Sequence, residues 1–160
     1  MSENNLKKII KDTDKLTDKD ITWYPLYPNN MIQNGLEGYY AFIYYKNENG
    51  LYCARKYTIL FQYPTTQDGL VISKDEPEFF ILFENNDYRE LTCPPKYPDP
   101  SEEEPPLEIP KNGLSGYDVN NYGSFVCVFH TLEEAKHRAL VSYKMIYVYV
   151  MSHLLWKKKV

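Results

Sequence analysis

The stretch from Tyr39 to Tyr63 constrains the fold most, because two runs rich in aromatic and β-branched residues are separated by a single polar break. The second run alternates, with apolar side chains at odd positions and Arg55 as the one exception, which is the period of a strand with one core face. The charge of Arg55 must then lie near the strand's edge or find a partner. The first run, residues 39–45, is apolar on both faces and suits a strand that is covered on both sides. An Asn-Gly pair in the break tolerates positive φ, so the stretch is predicted to form a β-hairpin that founds a sheet.

Shorter apolar runs after the hairpin predict the other strands. Residues 70–73 follow an Asp-Gly turn and indicate a short strand. Residues 78–84 are apolar on both faces and are expected near the centre of the sheet, before an Asn-rich turn at 85–87 and a weak strand at 88–92. Residues 124–130 predict a further strand. The four or five strands before residue 93 are joined by short loops, which favour an antiparallel meander.

One long helix is predicted after the last strand. Thr131 and Glu134 have the spacing of a capping box, so the helix should begin at Leu132 and run at least to Tyr143. The β-branched and aromatic content of residues 145–151 leaves open a helix followed by a last strand. An apolar stripe is expected to face the sheet; its members are Leu132, Ala135, Ala139, Tyr143, Ile146, Val150 and Leu154. The predicted fold class is α+β, an antiparallel sheet of five to six strands with a long C-terminal helix packed on one face.

The chain of 160 residues is expected to form one domain. Residues 1–20 are a charged N-terminal segment, either a short amphipathic helix laid on the body or a frayed tail. Residues 21–160 form the single α+β domain, interrupted by a proline-rich and acidic loop at 93–112. Because so many φ angles are fixed and donors absent, this loop is expected to be extended, and to be either functional or a linker.

Composition and charge narrow the classes of partner. A net charge of −4 argues against affinity for duplex nucleic acid, which needs clustered cations. Three cysteines cannot all pair within the chain, and the N-terminus lacks the apolar core of a signal peptide, so an intracellular, reducing location is expected. Polar residues and a lysine in the C-terminal apolar stretch argue against a membrane span. The frequent Asn, Lys, Ile and Tyr are typical of AT-rich genomes, as in many large DNA viruses.

No pattern in the sequence fixes a chemistry. Cys127 and His130 would lie on opposite faces of an extended strand, and Cys127, sharing its face with Phe125 and Phe129, is predicted to be a core thiol. The Glu134–His137 spacing lacks the second pair that a di-iron bundle requires. No metal, no cofactor and no catalytic residue is therefore assigned. A small enzyme with a dispersed acid/base site, and a single-strand nucleic-acid binder using sheet tyrosines, stay as alternatives.

Protein–protein interaction or structural assembly, including self-association into a homo-oligomer, is the function that these exclusions favour. The segment Pro94-Pro95-Lys96-Tyr97 is similar to the PPxY ligand of WW domains, in which the prolines present a polyproline II face and the tyrosine enters a groove. Exposed aromatic residues of the sheet region are the other candidate contacts; they are Trp23, Tyr40, Tyr44 and Tyr52. Because one helix covers only one face of the sheet, the N-terminal segment or a partner is expected to cover the other.

Overall fold

The computed structural model describes residues 2–26, 37–46, 49–73, 75–95 and 123–159. Two α-helices lie in these segments, α1 (Glu3–Asp14) and α2 (Leu132–Lys159). The strands are β1 (Tyr24–Pro25), β2 (Gly38–Lys46), β3 (Tyr52–Gln62), β4 (Phe79–Leu91) and β5 (Ser124–Phe129). The strands form one antiparallel sheet in the order β1-β2-β3-β4-β5, which is the predicted meander. The α+β class, with a long C-terminal helix on the sheet, is confirmed.

Strands β2 and β3 form the predicted antiparallel hairpin. Tyr39 lies opposite Ile59 and Tyr40 opposite Thr58. Strand β3 is central in the sheet, so its even-numbered side chains are buried as well, with Thr58 and Leu60 each 1% exposed. The single core face expected for this strand is therefore replaced by two, because both of its neighbours are strands and both faces of the sheet are covered at its middle.

The first face of the sheet is covered by both helices. Tyr57, Ile59 and Leu82 pack with Ala139 and Tyr143 of α2 in the larger core cluster. Small residues on a helix let its backbone approach the sheet closely, which is why two alanines of α2 are fully buried.

Helix α1 lies against α2 on the same side of the sheet. Asp18, just beyond α1, has its carboxylate oxygen Oδ2 2.9 Å from Nδ1 of His137. Lys144 Nζ donates to the Asp14 carbonyl at 2.8 Å. The two helices are antiparallel, because Asp14 lies beside Lys144 whereas Asp18, later in the chain, lies beside His137, earlier in α2. Leu6, 0% exposed, joins the first core. The N-terminal segment therefore adds to the covered face and does not cover the other.

The start of α2 follows the predicted capping pattern. The backbone N–H of Glu134 donates to Thr131 Oγ1 at 3.2 Å. The helix continues to Lys159, so residues 145–151 are helical and the alternative of a last strand is wrong. The buried row continues through Tyr147 and Leu155, whereas Leu154 is 40% exposed. The predicted stripe is confirmed over most of its length, because five of its members pack in or against the first core; they are Leu132, Ala135, Ala139, Tyr143 and Ile146. The side chain of Val150 lies outside the described residues.

The second face has a core of its own. Leu26, directly after β1, packs with Tyr40, Leu60, Ile81 and Phe83, and all five are at most 6% exposed. The Leu26 N–H donates to the Gly38 carbonyl at 3.1 Å, which fixes the chain against β2. Apolar residues on both sides of β2 and β4 are thus explained by two separate clusters.

Two local predictions around β4 are wrong. The turn expected at residues 85–87 is absent, because β4 runs unbroken from Phe79 to Leu91. Arg55 pairs with Tyr88 and Tyr57 with Glu84, so the polar triplet forms a bulge opposite one residue of β3. The strand expected at residues 70–73 is reduced to an isolated bridge between Thr65 and Val71.

A second bulge changes the faces predicted for β5. Leu82 pairs with Cys127 but Phe83 pairs with Phe125, so Val126 is an additional residue in β5. The bulge places Phe125 on the second face and Phe129 on the first, where the latter packs on the larger core. Cys127 is exposed and is not a core thiol.

Candidate functional site

The residues predicted to bind a partner are scattered through the structure. Trp23 is half-buried against the first core. Tyr40 is 1% exposed and lies inside the second core. Pro94 is exposed and Pro95 half-buried at the end of a described segment, and Tyr97 lies outside the described residues. The geometry of the PPxY-like segment and of most of the 93–112 loop is thus not described.

Tyr44 and Tyr52 are brought together at the end of the β2–β3 hairpin. Their ring centroids are 5.8 Å apart with an interplanar angle of 71°, an edge-to-face pair, and Tyr44 is 41% exposed. The exposed Lys46 places Nζ 5.6 Å from the centroid of the Tyr52 ring, within cation–π range. We name Tyr44, Lys46 and Tyr52 the tyrosine–lysine patch. It is an aromatic and cationic surface at one end of the sheet.

An exposed apolar segment lies at the opposite end, in the loop from β3 to β4. Leu70, Val71 and Ile72 are consecutive and are 63%, 47% and 65% exposed. We name these three residues the interaction tip. Soluble proteins expose scattered single apolar residues routinely, but a contiguous exposed run marks a contact surface or a liability.

The interaction tip is held in one conformation by its own backbone. The Ile72 N–H donates to the Pro64 carbonyl at 2.8 Å, and the Thr66 N–H donates to the Leu70 carbonyl at 2.8 Å. Gly69 supplies the turn with φ of 84°, a left-handed value that suits glycine, and its N–H donates to the Thr66 carbonyl at 2.9 Å. These bonds fix the loop before any partner arrives.

Acidic side chains surround the interaction tip. The loop between β3 and β4 contains four carboxylates and one lysine, a net charge of −3. All four carboxylates are exposed; they are Asp68, Asp75, Glu76 and Glu78. The tip therefore presents an apolar centre within a negatively charged border.

Strand β5 contributes a smaller apolar surface. Phe125 is 55% and Val128 is 42% exposed, both on the second face. Within the described residues β5 pairs with β4 alone, so it is an edge strand. The bulge at Val126 interrupts its regular hydrogen-bonding edge, which is a common protection against further pairing.

A polar cluster lies buried between β3, β4 and α2. Arg55 Nη2 is 3.7 Å from Glu84 Oε1, and the two side chains are 9% and 20% exposed. This is the partner that the isolated charge of Arg55 required. Burial, with the Glu84 charge as the next cause, raises the pKa of Tyr57 far above its usual value, and burial also raises the pKa of Tyr143. The two tyrosines stay neutral at physiological pH and are enclosed beneath the helix, so the cluster has the character of a structural core.

Other chemistries find no support in the part of the chain that the structure describes. Among those residues, no three His, Cys, Asp or Glu side chains are grouped so as to hold a metal ion. Of the helices in the described segments, none is long and apolar enough to cross a membrane. The three cysteines, all in described segments, form no disulfide with one another.

Comparison with known proteins gives no relative: no family model, no curated protein and no solved structure matches the chain.

The interaction tip is the surface that sequence reasoning missed. Residues 70–73 were interpreted as a strand because three of the four are apolar and two are β-branched. The signal that could have identified the tip is its length, since the apolar run lies between two turn-forming segments and is shorter than an ordinary strand.

Proposed function

We propose that the protein is a non-enzymatic protein–protein interaction protein that binds its partner through the interaction tip. The observation that carries this proposal is the exposure of three consecutive large apolar residues on a loop whose backbone is already fixed. No fold requirement accounts for them, because Leu70 and Ile72 are each more than 60% exposed.

Energetics favour such a tip as an anchor. Burying an exposed Leu, Val or Ile side chain completely contributes about 1.5–3 kcal/mol, so three partly exposed side chains offer roughly 3–5 kcal/mol in total. A flexible loop would lose much of this to the entropy of ordering. The backbone bonds from Thr66 to Leu70 and from Ile72 to Pro64 meet that cost during folding, before the partner binds.

The charge around the interaction tip defines the partner's chemistry. An apolar centre bordered by four carboxylates fits an apolar or aromatic surface that carries lysine or arginine at its rim. The same border opposes approach to nucleic-acid phosphates and to an anionic lipid surface, because like charges repel. A protein surface with an aromatic centre and a cationic rim is the partner of best fit.

A double substitution in the tip tests the proposal. Leu70→Ser with Ile72→Ser removes apolar side chains that contribute little to the core, so thermal unfolding should match that of the wild type. Met145→Ser is the matched control, because Met145 is 63% exposed on α2, away from the tip. Affinity capture from extracts of the source cell compares the three proteins, and a second copy of the chain counts as a partner.

The expected result is a partner that the wild type and the Met145→Ser control retain equally and that the tip variant loses by about tenfold or more. Equal retention by the folded tip variant would show that the tip is not the binding surface. Retention of no partner by the wild type would overturn the proposal altogether.

A further inference from the structure

Resting on the function proposed above, we infer that the partner of the interaction tip is a second copy of this chain, bound at its tyrosine–lysine patch. The two surfaces are different, so the contact is head-to-tail. Each head-to-tail pair leaves one tip and one patch unoccupied, and further copies extend the assembly.

The two surfaces lie at opposite ends of the sheet. Strand β3 connects them: Tyr52, in the patch, is its first residue and Gln62, where the loop of the tip begins, is its last. Eleven residues of extended strand span roughly 33 Å. A tip therefore cannot reach the patch of its own molecule, and only another copy can bring the two together.

The chemistry of the patch matches what the tip requires. Tyr44 and Tyr52 supply an aromatic surface for Leu70 and Ile72, and Leu91 lies opposite Tyr52 in the register of β3 and β4. The exposed Lys46 stands at the rim of those rings. Its ammonium group is of the opposite sign to the carboxylates beside the tip, so attraction would guide the encounter and set the orientation.

A second lysine lies on the same face of the sheet. Lys56 Nζ lies 4.9 Å from the centroid of the Tyr40 ring, and Lys56 pairs with Phe42 of β2. Since Lys46 and Lys56 both belong to even-numbered positions of the hairpin, they project from the face that carries Tyr44 and Tyr52. The tip loop, with its net charge of −3, would approach a face with two lysines.

Head-to-tail contact makes a distinctive prediction for growth. An isologous dimer would saturate at two copies, whereas a heterologous contact continues until a ring closes or a filament forms. The mass of the wild type should therefore rise beyond that of a dimer as the protein concentration increases. Because opposite charges border the contact, association should weaken severalfold between about 50 mM and about 500 mM NaCl.

Complementary variants test the inference directly in sedimentation velocity and light scattering of the full chain. The tip variant is Leu70→Ser with Ile72→Ser, and the patch variant is Tyr44→Ser with Lys46→Glu. Each variant alone should associate about 30-fold more weakly than the wild type, the factor for losing a central apolar anchor. An equimolar mixture should form a one-to-one heterodimer and nothing larger, because one intact tip meets one intact patch.

Charge reversal provides a second route if a patch variant folds poorly. A copy with Asp68→Lys and Glu76→Lys should fail to bind the wild-type patch and should bind Lys46→Glu instead. A wild type that stays monomeric at every concentration overturns the inference, and so does a variant mixture that forms no heterodimer. If the wild type is monomeric while a different protein is still captured through the tip, only self-assembly is refuted and the proposed function stands.

Discussion

The buried ion pair between Arg55 and Glu84 leads to the sharpest prediction for stability. At 3.7 Å and an effective dielectric constant of about 20, the attraction is about 4–5 kcal/mol. Removing both ions from water costs several kcal/mol each, so the pair contributes little net stability when it is intact. Breaking it by changing one partner is different, because the remaining charge keeps its desolvation cost without the attraction.

The two single substitutions should therefore differ. Glu84→Gln leaves the guanidinium of Arg55, which is 9% exposed and cannot lose its proton, buried without its counter-charge. We therefore expect the free energy of unfolding to fall by about 3–5 kcal/mol. In Arg55→Met the Glu84 carboxylate is 20% exposed and can be hydrated, so we expect the free energy of unfolding to fall by about 2–3 kcal/mol. The double variant should lie within about 1 kcal/mol of the wild type, because it removes both charges together.

Urea unfolding followed by circular dichroism gives the three free energies by linear extrapolation. The matched control is the exposed pair of Lys7 and Glu3, 3.3 Å apart on α1, whose loss in Glu3→Gln should change stability by less than about 0.5 kcal/mol. Additive effects of Arg55→Met and Glu84→Gln would refute the reasoning, as would a cost of Glu84→Gln no larger than that of the control.

Three further predictions concern the backbone, the buried tyrosines and the helix cap. In Gly38→Ala the new Cβ would clash with a backbone carbonyl oxygen of β3, so the free energy of unfolding in urea should fall by more than about 3 kcal/mol. Gly50→Ala, at a φ of 77° with open space around it, should lower the same free energy by about 1–2 kcal/mol. Burial raises the pKa of Tyr57 and Tyr143 above the ordinary 10.0, so both stay protonated in the folded chain while unfolded tyrosines ionise. The contribution of these two groups to the free energy of unfolding should be constant well below pH 10 and fall above it by about 2.7 kcal/mol per pH unit for the pair, and absorbance at alkaline pH should show these two ionising only on unfolding. Thr131→Ala removes the acceptor of the 3.2 Å cap bond and should lower the free energy of unfolding by about 1 kcal/mol, measured by thermal denaturation.

Local patterns in the sequence were sufficient for the β2–β3 hairpin, for β5 and for the start of α2, but not for β1 or for the full length of β4. Alternation identified the β2–β3 hairpin, and the spacing of Thr131 and Glu134 identified the first residue of α2. Both signals depend on neighbours in the chain, because a strand's period and a helix cap are satisfied within a few residues. The short connection between β2 and β3 favours their pairing, whereas the connections from β3 to β4 and from β4 to β5 are long and leave the strand order open.

Irregularities within the strands could not be predicted in the same way. The polar residues 85–87 have the composition of a turn, yet β3 continues to pair on both sides of them, so they form a bulge within β4. The extra residue Val126 likewise moves Phe125 to the other face of β5, while Cys127, opposite Leu82 on the edge strand, is exposed. Whether a polar segment turns or bulges depends on the length of the neighbouring strand, which is a property of the assembled sheet.

The candidate site was predictable only in part for a related reason. Tyr44 and Tyr52 were named from the sequence as contacts, and pairing of β2 with β3 brings them within 5.8 Å of each other. Lys46 could have been added, since it lies opposite Tyr52 once the hairpin register is known. Tyr40 has the same residue type and parity but is buried beside Leu26, a long-range contact that no local pattern indicates.

Exposure alone does not separate functional apolar residues from structural ones, and Phe125 shows why. Its side chain is 55% exposed, yet its ring lies 6.3 Å from that of Phe83, so it extends the second core to the sheet edge and has a role in the fold. Leu70 and Ile72 are more exposed, and the hydrogen bonds that hold these two residues are made by their backbone groups. Serine at both positions would leave those backbone bonds unchanged. The apolar character of the interaction tip therefore contributes little to the folded chain by itself, and a partner that buries it is what gives it an energetic role.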